Sequence, residues 1–435
     1  MDDAERCAGD LHIRRLLEIN RRRVASWGSL PPTGGPLVLG IVGAGVMGTA
    51  IADAALACNI KVLLTDADRA VLQRAGEALF RRLQETGVST TDRLQVTGDL
   101  DEIAACHIVL EAVVEDETKK GALLRELDRR MPSESLLATN TSTIPIHRLA
   151  RGLGHPERLC GTHFFLPVAE RPVVEVIFTT GTSAKARAAA IGLTEVLGRD
   201  VLLAPDAVGF LVNRLMMPYV SEAMQLLTEG VAPETIEQVA VSFGMPKGPL
   251  SLLDEIGLDT ALDCGWVFAG AYQDRVAVSP LLVTMVKAGR LGRKSDAGFF
   301  RYTINDQGEI RQDADPAAAE LVARWMGRAT QPSAEDIGAR LFLPMVFEGT
   351  RILAEHEGSR AADIDLGAVL GLGMAPARGG PLFWCDRAGA GRIVEIAEPL
   401  RSLGARMEPP EALRQMAETG AVYHARETRT ETTSA

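Results

Sequence analysis

Leu37-Val38-Leu39-Gly40-Ile41-Val42-Gly43-Ala44-Gly45-Val46-Met47-Gly48 is the stretch that decides the fold. The residues up to Val42 read as a buried strand, and those from Val46 to Ala57 read as a helix. The Gly43-x-Gly45-x-x-Gly48 triad therefore falls on a strand-to-helix turn. Such a triad alone is weak evidence, but its position gives each glycine a task. Gly43 permits the tight turn, Gly45 lets a pyrophosphate approach the backbone, and Gly48 lets the helix lie close to the strand. The start of the helix, with Val46 and Met47, then offers N–H groups and partial positive charge to phosphates. Asp66 ends the next strand candidate, Lys61–Thr65. A carboxylate there accepts hydrogen bonds from ribose hydroxyls and repels a 2′-phosphate, which favours NAD. Arg69 is near enough in sequence to shield a phosphate, so NADP stays open on this reading.

Working outward, strand candidates follow at Ile108–Ala112, Leu136–Thr139, Thr162–Phe165, Val173–Phe178 and Val201–Leu203. Helical patterns near 46–57, 67–86, 117–131 and 183–197 separate them. Alternation of this kind predicts a doubly wound, Rossmann-like α/β domain over residues 36–205. Beyond Asp206 strand runs give way to helical periodicity, and the second half repeats itself. Arg214, Leu215, Pro218 and Glu222 reappear as Arg340, Leu341, Pro344 and Glu348. Farther on, Gly244-Met245, Gly248-Pro249 and Asp254 reappear as Gly373-Met374, Gly380-Pro381 and Asp386. The expectation is two repeated all-α domains, 206–305 and 336–425, joined by a linker over 306–335. Residues 1–35 read as an amphipathic helix, with a stripe of Leu11, Ile13, Leu16, Leu17 and Ile19, and a Pro/Gly-rich linker from Ser29 to Pro36. Residues 426–435 read as a flexible tail.

The chain has 435 residues, 46 Lys+Arg against 57 Asp+Glu and a formal charge of −11. Length alone allows about three domains at roughly 150 residues each. The acidic balance argues against a nucleic-acid partner, because phosphate neutralisation needs clustered Lys and Arg. No apolar run approaches the roughly 18 residues a membrane span needs, and the N-terminus lacks a secretory h-region. Six cysteines without CxxC spacing fit reduced thiols, and a cytoplasmic protein is expected. Seven dispersed histidines without HExxH spacing give no reason to expect a metal.

A dinucleotide domain followed by a helical one needs a proton-transfer group, and His163 is the best candidate. It sits in Gly161-Thr162-His163-Phe164-Phe165, twelve residues before Glu175 in Val173-Val174-Glu175-Val176-Ile177. If the two strands pair as a hairpin, the polar side chains face each other from apolar strands. An ionised Glu then orients the imidazole, which can accept a hydroxyl proton while hydride leaves for nicotinamide. A hydrogen-bonded structural histidine is the other reading of the same spacing.

GAGVMG, EAVVEDETKK, NTSTIP, THFF, PVVEVI, DAVGFLVNR, GMPKGP and LGRKSDAGFF occur in this order. Together they resemble the L-3-hydroxyacyl-CoA dehydrogenases over residues 37–400. The likeness is greatest to the dehydrogenase half of multifunctional fatty-acid oxidation proteins, which carry a duplicated C-terminal domain; no hydratase domain is expected in this stretch. The resemblance implies NAD-dependent oxidation of a 3-hydroxyacyl thioester in fatty-acid metabolism. His163 would be the general base, Glu175 its partner, Ser142 a hydrogen-bond partner of the substrate oxygen, and Asn213 an amide holding the substrate. Ala339 stands at the position of Asn213 in the second repeat, so the first copy alone would make that contact. Met47, Asp66, Val113, Val114, Glu115, Lys120 and Asn140 match positions that line NAD. Lys294 would touch cofactor or substrate, or is a surface lysine beside a Gly-rich turn.

Departures from the family pattern are informative. Leu166 stands where the family usually has Asn, Ala169 where it has a further His, and Ile393 where multifunctional relatives often have Tyr. The proton relay is kept while recognition positions have drifted, so the acyl thioester could ride on CoA or on an acyl carrier protein. A catalytically impaired dinucleotide-binding relative with a structural or regulatory role is the competing reading. An internal repeat that mimics a dimer contact would leave a monomer.

Overall fold

The computed structural model describes residues 3–28, 30, 36–85, 93–276, 278–305, 307–327 and 331–424. Nearly all of the expected Ser29–Pro36 linker, and the whole 426–435 tail, lie outside these. The chain divides into two compact units, Arg15–Asn213 and Met1–Arg14 with Arg214–Ala435. Both include part of the N-terminal helix α1 (Asp3–Ala25). Ile13 and Leu16 of its predicted stripe are buried, but Leu11 is 69 % exposed and does not belong to it.

The first unit alternates β1 (Val38–Val42), α2 (Val46–Ala57), β2 (Lys61–Thr65), α3 (Arg69–Glu85), β3 (Leu94–Val96), α4 (Leu100–Ala104), β4 (Ile108–Glu111), α5 (Glu117–Arg130), β5 (Leu136–Thr139) and α6 (Ile146–Leu149). It continues with β6 (Leu159–His163), β7 (Val173–Ile177), α7 (Ala184–Val196) and β8 (Asp200–Ala204). The strands form one sheet in the order β3-β2-β1-β4-β5-β6-β7-β8. Every pairing is parallel except β6 with β7, where Gly161, Thr162 and His163 face Ile177, Val176 and Glu175. Apolar residues pack on both faces. Leu39, Ile41 and Leu64 belong to one core, and Val42, Leu63 and Val109 to the other. Continuous apolar strands are what a sheet covered on both sides requires. The order reverses between β1 and β4, the crevice where open α/β sheets bind ligands at the carboxyl ends of their strands. Gly43, Asp66, Ala112 and Asn140 immediately follow β1, β2, β4 and β5, while His163 ends β6.

The second unit contains α8 (Val212–Thr228, from Arg214 on), α9 (Pro233–Phe243), α10 (Pro249–Ile256), α11 (Leu258–Ala271) and α12 (Pro280–Lys287). Residues 306–335 are not a plain linker. β9 (Phe300–Ile304) pairs antiparallel with β10 (Ile310–Ala314), and α13 (Pro316–Ala323) follows. Asp254 builds this hairpin by accepting the N–H groups of Phe299 and Phe300 and the Tyr302 hydroxyl. Then come α14 (Ala334–Glu355), α15 (Ala361–Leu366), α16 (Pro381–Ala388), α17 (Ala390–Ala397) and α18 (Glu411–Thr419).

Residues of α8 and α14 make contacts in reciprocal pairs. Buried Arg214 donates to Glu348 at 2.6 and 2.8 Å and to Glu355 at 2.7 Å. Buried Arg340 donates to Glu222 at 3.0 Å and to Glu229 at 2.5 and 2.8 Å. Pro218 and Pro344 lie inside α8 and α14. Glu237 accepts the N–H groups of Leu250 and Ser251 at the start of α10, and Asp365 accepts those of Leu382 and Phe383 at the start of α16. A π-helical turn spans Gly367–Gly371, just before Gly373.

Candidate active site

The three glycines of the turn differ in what surrounds them. Gly43 has φ +110°, and an added Cβ would lie 2.4 Å from the Ala112 carbonyl oxygen. A Cβ on Gly48 would lie 1.8 Å from the Gly43 carbonyl oxygen, while one on Gly45 would meet nothing within 4 Å. Two glycines thus close the turn and one leaves its backbone open to a ligand. The N–H groups of Val46, Met47 and Gly48 open α2 and have no acceptor within it. Val46 is exposed and Met47 half-buried beside them.

Asp66 secures the turn from β2. Its Oδ2 accepts the Ala44 N–H at 2.7 Å and its Oδ1 the Asp68 N–H at 2.8 Å. The side chain is partly exposed, which leaves lone pairs for ribose hydroxyls; Arg69 is exposed. Open backbone at Gly45, unpaired N–H groups and a fixed carboxylate fit the pyrophosphate and adenosine of NAD.

The loop after β4 is held by charge. Lys120 is 1 % exposed, and its Nζ donates to Glu111 at 2.8 Å and the Val113 carbonyl at 3.2 Å, with Glu115 Oε2 at 3.4 Å. Two of its protons are thereby hydrogen-bonded, so Lys120 shapes the Val113–Glu115 loop. Glu115 Oε1 accepts from the Thr141 hydroxyl at 2.7 Å, the Ser142 and Thr143 N–H groups at 2.9 Å, and the Thr143 hydroxyl at 3.0 Å. Burial alone would raise its pKa, but Lys120 and these donors outweigh it and hold the carboxyl below its ordinary range. Glu115 therefore joins the β4 loop to the loop after β5. Val113 is half-buried and Val114 is 62 % exposed, available to a ligand.

His163 and Glu175 meet as the hairpin reading requires. They are directly opposite in the β6–β7 register, with Nδ1 2.7 Å from Oε2, and both are buried. The second oxygen, Oε1, accepts the N–H groups of Leu211 at 3.0 Å and Val212 at 2.9 Å. The carboxylate is thus fixed at both ends. Phe210, just before these donors, is fully buried with a left-handed φ of +51°, and its ring centroid lies 5.8 Å from that of His163. Backbone strain in a non-glycine residue beside a buried dyad is characteristic of functional sites. Phe165 packs against the imidazole edge-on at 4.6 Å.

Asn140 accepts the Phe164 N–H at 2.9 Å, which ties the end of β5 to the backbone after His163. Asn213 donates to the Ser142 carbonyl at 3.1 Å. Asn140, Ser142, His163, Glu175 and Asn213 are thereby joined by direct or backbone-borne contacts. Lys294 lies in the helical unit, paired with Asp259 at 2.5 Å. Leu166 is 46 % exposed and Ala169 exposed, whereas Ile393 is buried. Glu111 and Phe210 were missed by sequence reasoning; the Gly209-Phe210 pair before a helix start was the available signal for the second.

A glycine-rich strand-to-helix turn and a buried histidine–carboxylate pair fit the class of NAD-dependent dehydrogenases. Residues 38–207 match the model of the 3-hydroxyacyl-CoA dehydrogenase NAD binding domain, and residues 209–302 match that of the C-terminal domain. The chain belongs to the 3-hydroxyacyl-CoA dehydrogenase family. It is 32 % identical to the fatty acid oxidation complex subunit alpha of Acinetobacter baylyi, over 88 % of this chain and 55 % of that protein. The chain thus spans about half the length of the curated relatives it matches. Among solved structures it resembles 3-hydroxybutyryl-CoA dehydrogenase of Escherichia coli K12, with TM-score 0.74 and 27 % identity, covering 88 % of this chain and 99 % of that one. FadB2 of M. tuberculosis is 35 % identical with TM-score 0.57, covering 61 % and 98 % of the two chains.

Proposed function

We propose that this chain oxidises the 3-hydroxyl of a 3-hydroxyacyl thioester to the 3-oxo form, with His163 as general base. The observation that carries the reading is the His163–Glu175 pair, whose carboxylate is also clamped by two backbone N–H groups. Because Nδ1 faces an acceptor-only carboxylate, the proton resides on Nδ1 and the lone pair on Nε2. Nε2 then accepts the proton of the substrate hydroxyl as the C3–O bond becomes a carbonyl. NAD, when bound, supplies the hydride acceptor for the C3 hydrogen. Gly43, Gly45, Val46, Met47 and Gly48 would hold its pyrophosphate and Asp66 its ribose, with Val113 and Val114 beside it. Glu115 and Lys120 act by fixing the loop shape. Ser142 would meet the substrate oxygen, and Asn213 would hold the substrate and steady the Ser142 loop. Lys294 remains a proposed further contact to cofactor or substrate.

The acyl carrier is proposed to be CoA, with a carrier-protein thioester as the second candidate because Leu166 presents an apolar group beside the His163 strand. We also propose that the helical part consists of two copies of one unit, supported by the reciprocal Arg214–Glu348 and Arg340–Glu222 pairs. An internal pseudo-twofold of this kind favours a monomer. Among the described residues no helix is long and apolar enough to cross a membrane, and a cytoplasmic site of action fits the six free cysteines.

The experiment is to follow NADH formation with a panel of 3-hydroxyacyl groups, each supplied on CoA and on a carrier protein. Turnover on CoA esters supports the leading reading, and a strong carrier-protein preference supports the second. NAD binding without reduction across the whole panel would favour a catalytically impaired relative.

A further inference from the structure

Three side chains far apart in sequence converge at the start of α16, in the unit without the glycine turn. Asp365 is fully buried, and its Oδ2 lies 2.7 Å from His424 Nε2 and 3.5 Å from His12 Nε2. The ligating atoms of all three lie within 4.8 Å of one another. The His12 ring is stacked on Phe383 at 4.1 Å and meets the His424 ring edge-on at 4.5 Å. Its Nε2 is buried and makes no hydrogen bond.

The carboxylate cannot move away. Asp365 accepts the N–H groups of Leu382 at 2.8 Å and Phe383 at 3.0 Å, and Gly380 packs so closely that an added Cβ would lie 2.3 Å from its Oδ1. In the first repeat the equivalent Glu237 completes its hydrogen bonding with the Ser251 hydroxyl. Phe383 replaces that serine in the second repeat, and two imidazoles occupy the freed side of the carboxylate. A second buried carboxyl, Asp386, accepts the N–H groups of Tyr423 and His424. Among the described residues no Lys or Arg pairs with Asp365. A buried carboxyl group with imidazoles as its only side-chain partners, one of them with a buried nitrogen that makes no hydrogen bond, offers the donor set of a metal ion.

We propose that His12, Asp365 and His424 bind one divalent transition-metal ion of the zinc class, which clips α1 and the segment after α18 onto α15. Two imidazoles and one carboxylate suit Zn²⁺ or Co²⁺ rather than Mg²⁺ or Ca²⁺, which prefer oxygen donors throughout. Bonds of about 2.0–2.1 Å at tetrahedral angles separate ligand atoms by about 3.4 Å. The His12–Asp365 distance already meets this, and the His424–Asp365 distance needs an opening of well under 1 Å. Water would complete the coordination. The expectation of no metal, drawn from the absence of a spacing motif, is thereby revised: the ligands come from residues that only the fold assembles.

The test uses the full chain stripped by chelator, with Co²⁺ alone as spectroscopic probe and Zn²⁺ as competitor. The expected result is one Co²⁺ per chain with a visible d–d band, displaced by Zn²⁺, and a rise in Tm of several degrees with Zn²⁺. His12→Gln and His424→Gln leave the Asp365 backbone contacts in place. Each should weaken Zn²⁺ binding by at least about 100-fold, since second-layer losses alone cost about 10–100-fold. No stoichiometric binding, or binding unchanged in both variants, would overturn the proposal and leave an imidazole–carboxylate hydrogen-bond cluster. Because the readouts are spectra and Tm, they stand apart from the dehydrogenase reading.

Discussion

Glu175→Gln changes one atom of the dyad and almost nothing of its volume. In the native chain Oε1 accepts two N–H groups, from Leu211 and Val212, and Oε2 faces His163 Nδ1. An amide has one acceptor and one donor end, so the two N–H groups will claim its oxygen and its NH₂ will face Nδ1. His163 must then place its proton on Nε2 to leave Nδ1 as an acceptor, and the base loses its lone pair. Fixing the wrong tautomer in a comparable histidine–carboxylate pair costs on the order of 10⁴ in kcat. That corresponds to about 5.5 kcal/mol of barrier. The opposite orientation would set a donor against two donors and cost about 1–3 kcal/mol of stability instead. Steady-state kinetics with a 3-hydroxyacyl-CoA, together with NAD titration and thermal melting, separate the outcomes. The expected result is kcat reduced by about 10³–10⁴, with NAD affinity and Tm near wild type. A variant within tenfold of wild-type kcat would refute the tautomer argument.

Other perturbations follow from the same geometry. His163→Ala should lower kcat by about 10²–10⁴, the usual share of a general base, while NAD binding measured by calorimetry stays unchanged. Gly45→Ala should keep Tm but weaken NAD binding, because its Cβ meets no protein atom within 4 Å and would face the proposed pyrophosphate, whereas Gly48→Ala should lower both; equal effects would contradict the proposed tasks. Arg340→Met removes the buried guanidinium that bridges Glu222 and Glu229 while Arg406 stays on Glu222, so in a urea melt it should cost less than the roughly 3–5 kcal/mol of a lone buried pair. Glu115 has a depressed pKa, so its stabilising contribution is present above the ordinary value of 4.5 and is lost as pH falls through the lower folded value. Glu115→Gln should flatten that acid limb of a Tm-against-pH profile, and an unchanged limb would count against the assignment.

What could be read from the sequence followed how local the signal was. The glycine turn and β1 were legible because a strand, a turn and a helix start lie within twenty residues and each glycine answers one steric demand. The dyad was legible because two polar residues interrupt apolar strands at a spacing that one hairpin satisfies. β3 is three residues long and β10 is mostly exposed, so neither leaves an apolar run to detect. β6 begins at Leu159, three residues before the predicted start, since Cys160 and Gly161 weaken strand propensity while burial supplies the stability. Lys120 looked like a ligand contact, and only the fold shows that it is buried and hydrogen-bonded to Glu111 and the Val113 carbonyl. The His12–Asp365–His424 cluster is non-local in the same sense.

The central claim is that hydride leaves C3 of the acyl group while His163 takes the hydroxyl proton. The most direct measurement supplies the chain with NAD and 3-hydroxybutyryl-CoA deuterated at C3, then locates the label by mass spectrometry. The account predicts deuterium in the reduced cofactor, a primary isotope effect under conditions where chemistry limits the rate, and loss of both in His163→Ala. Reduced cofactor without the label, or no reduction by the wild-type chain under any acyl length, would contradict it.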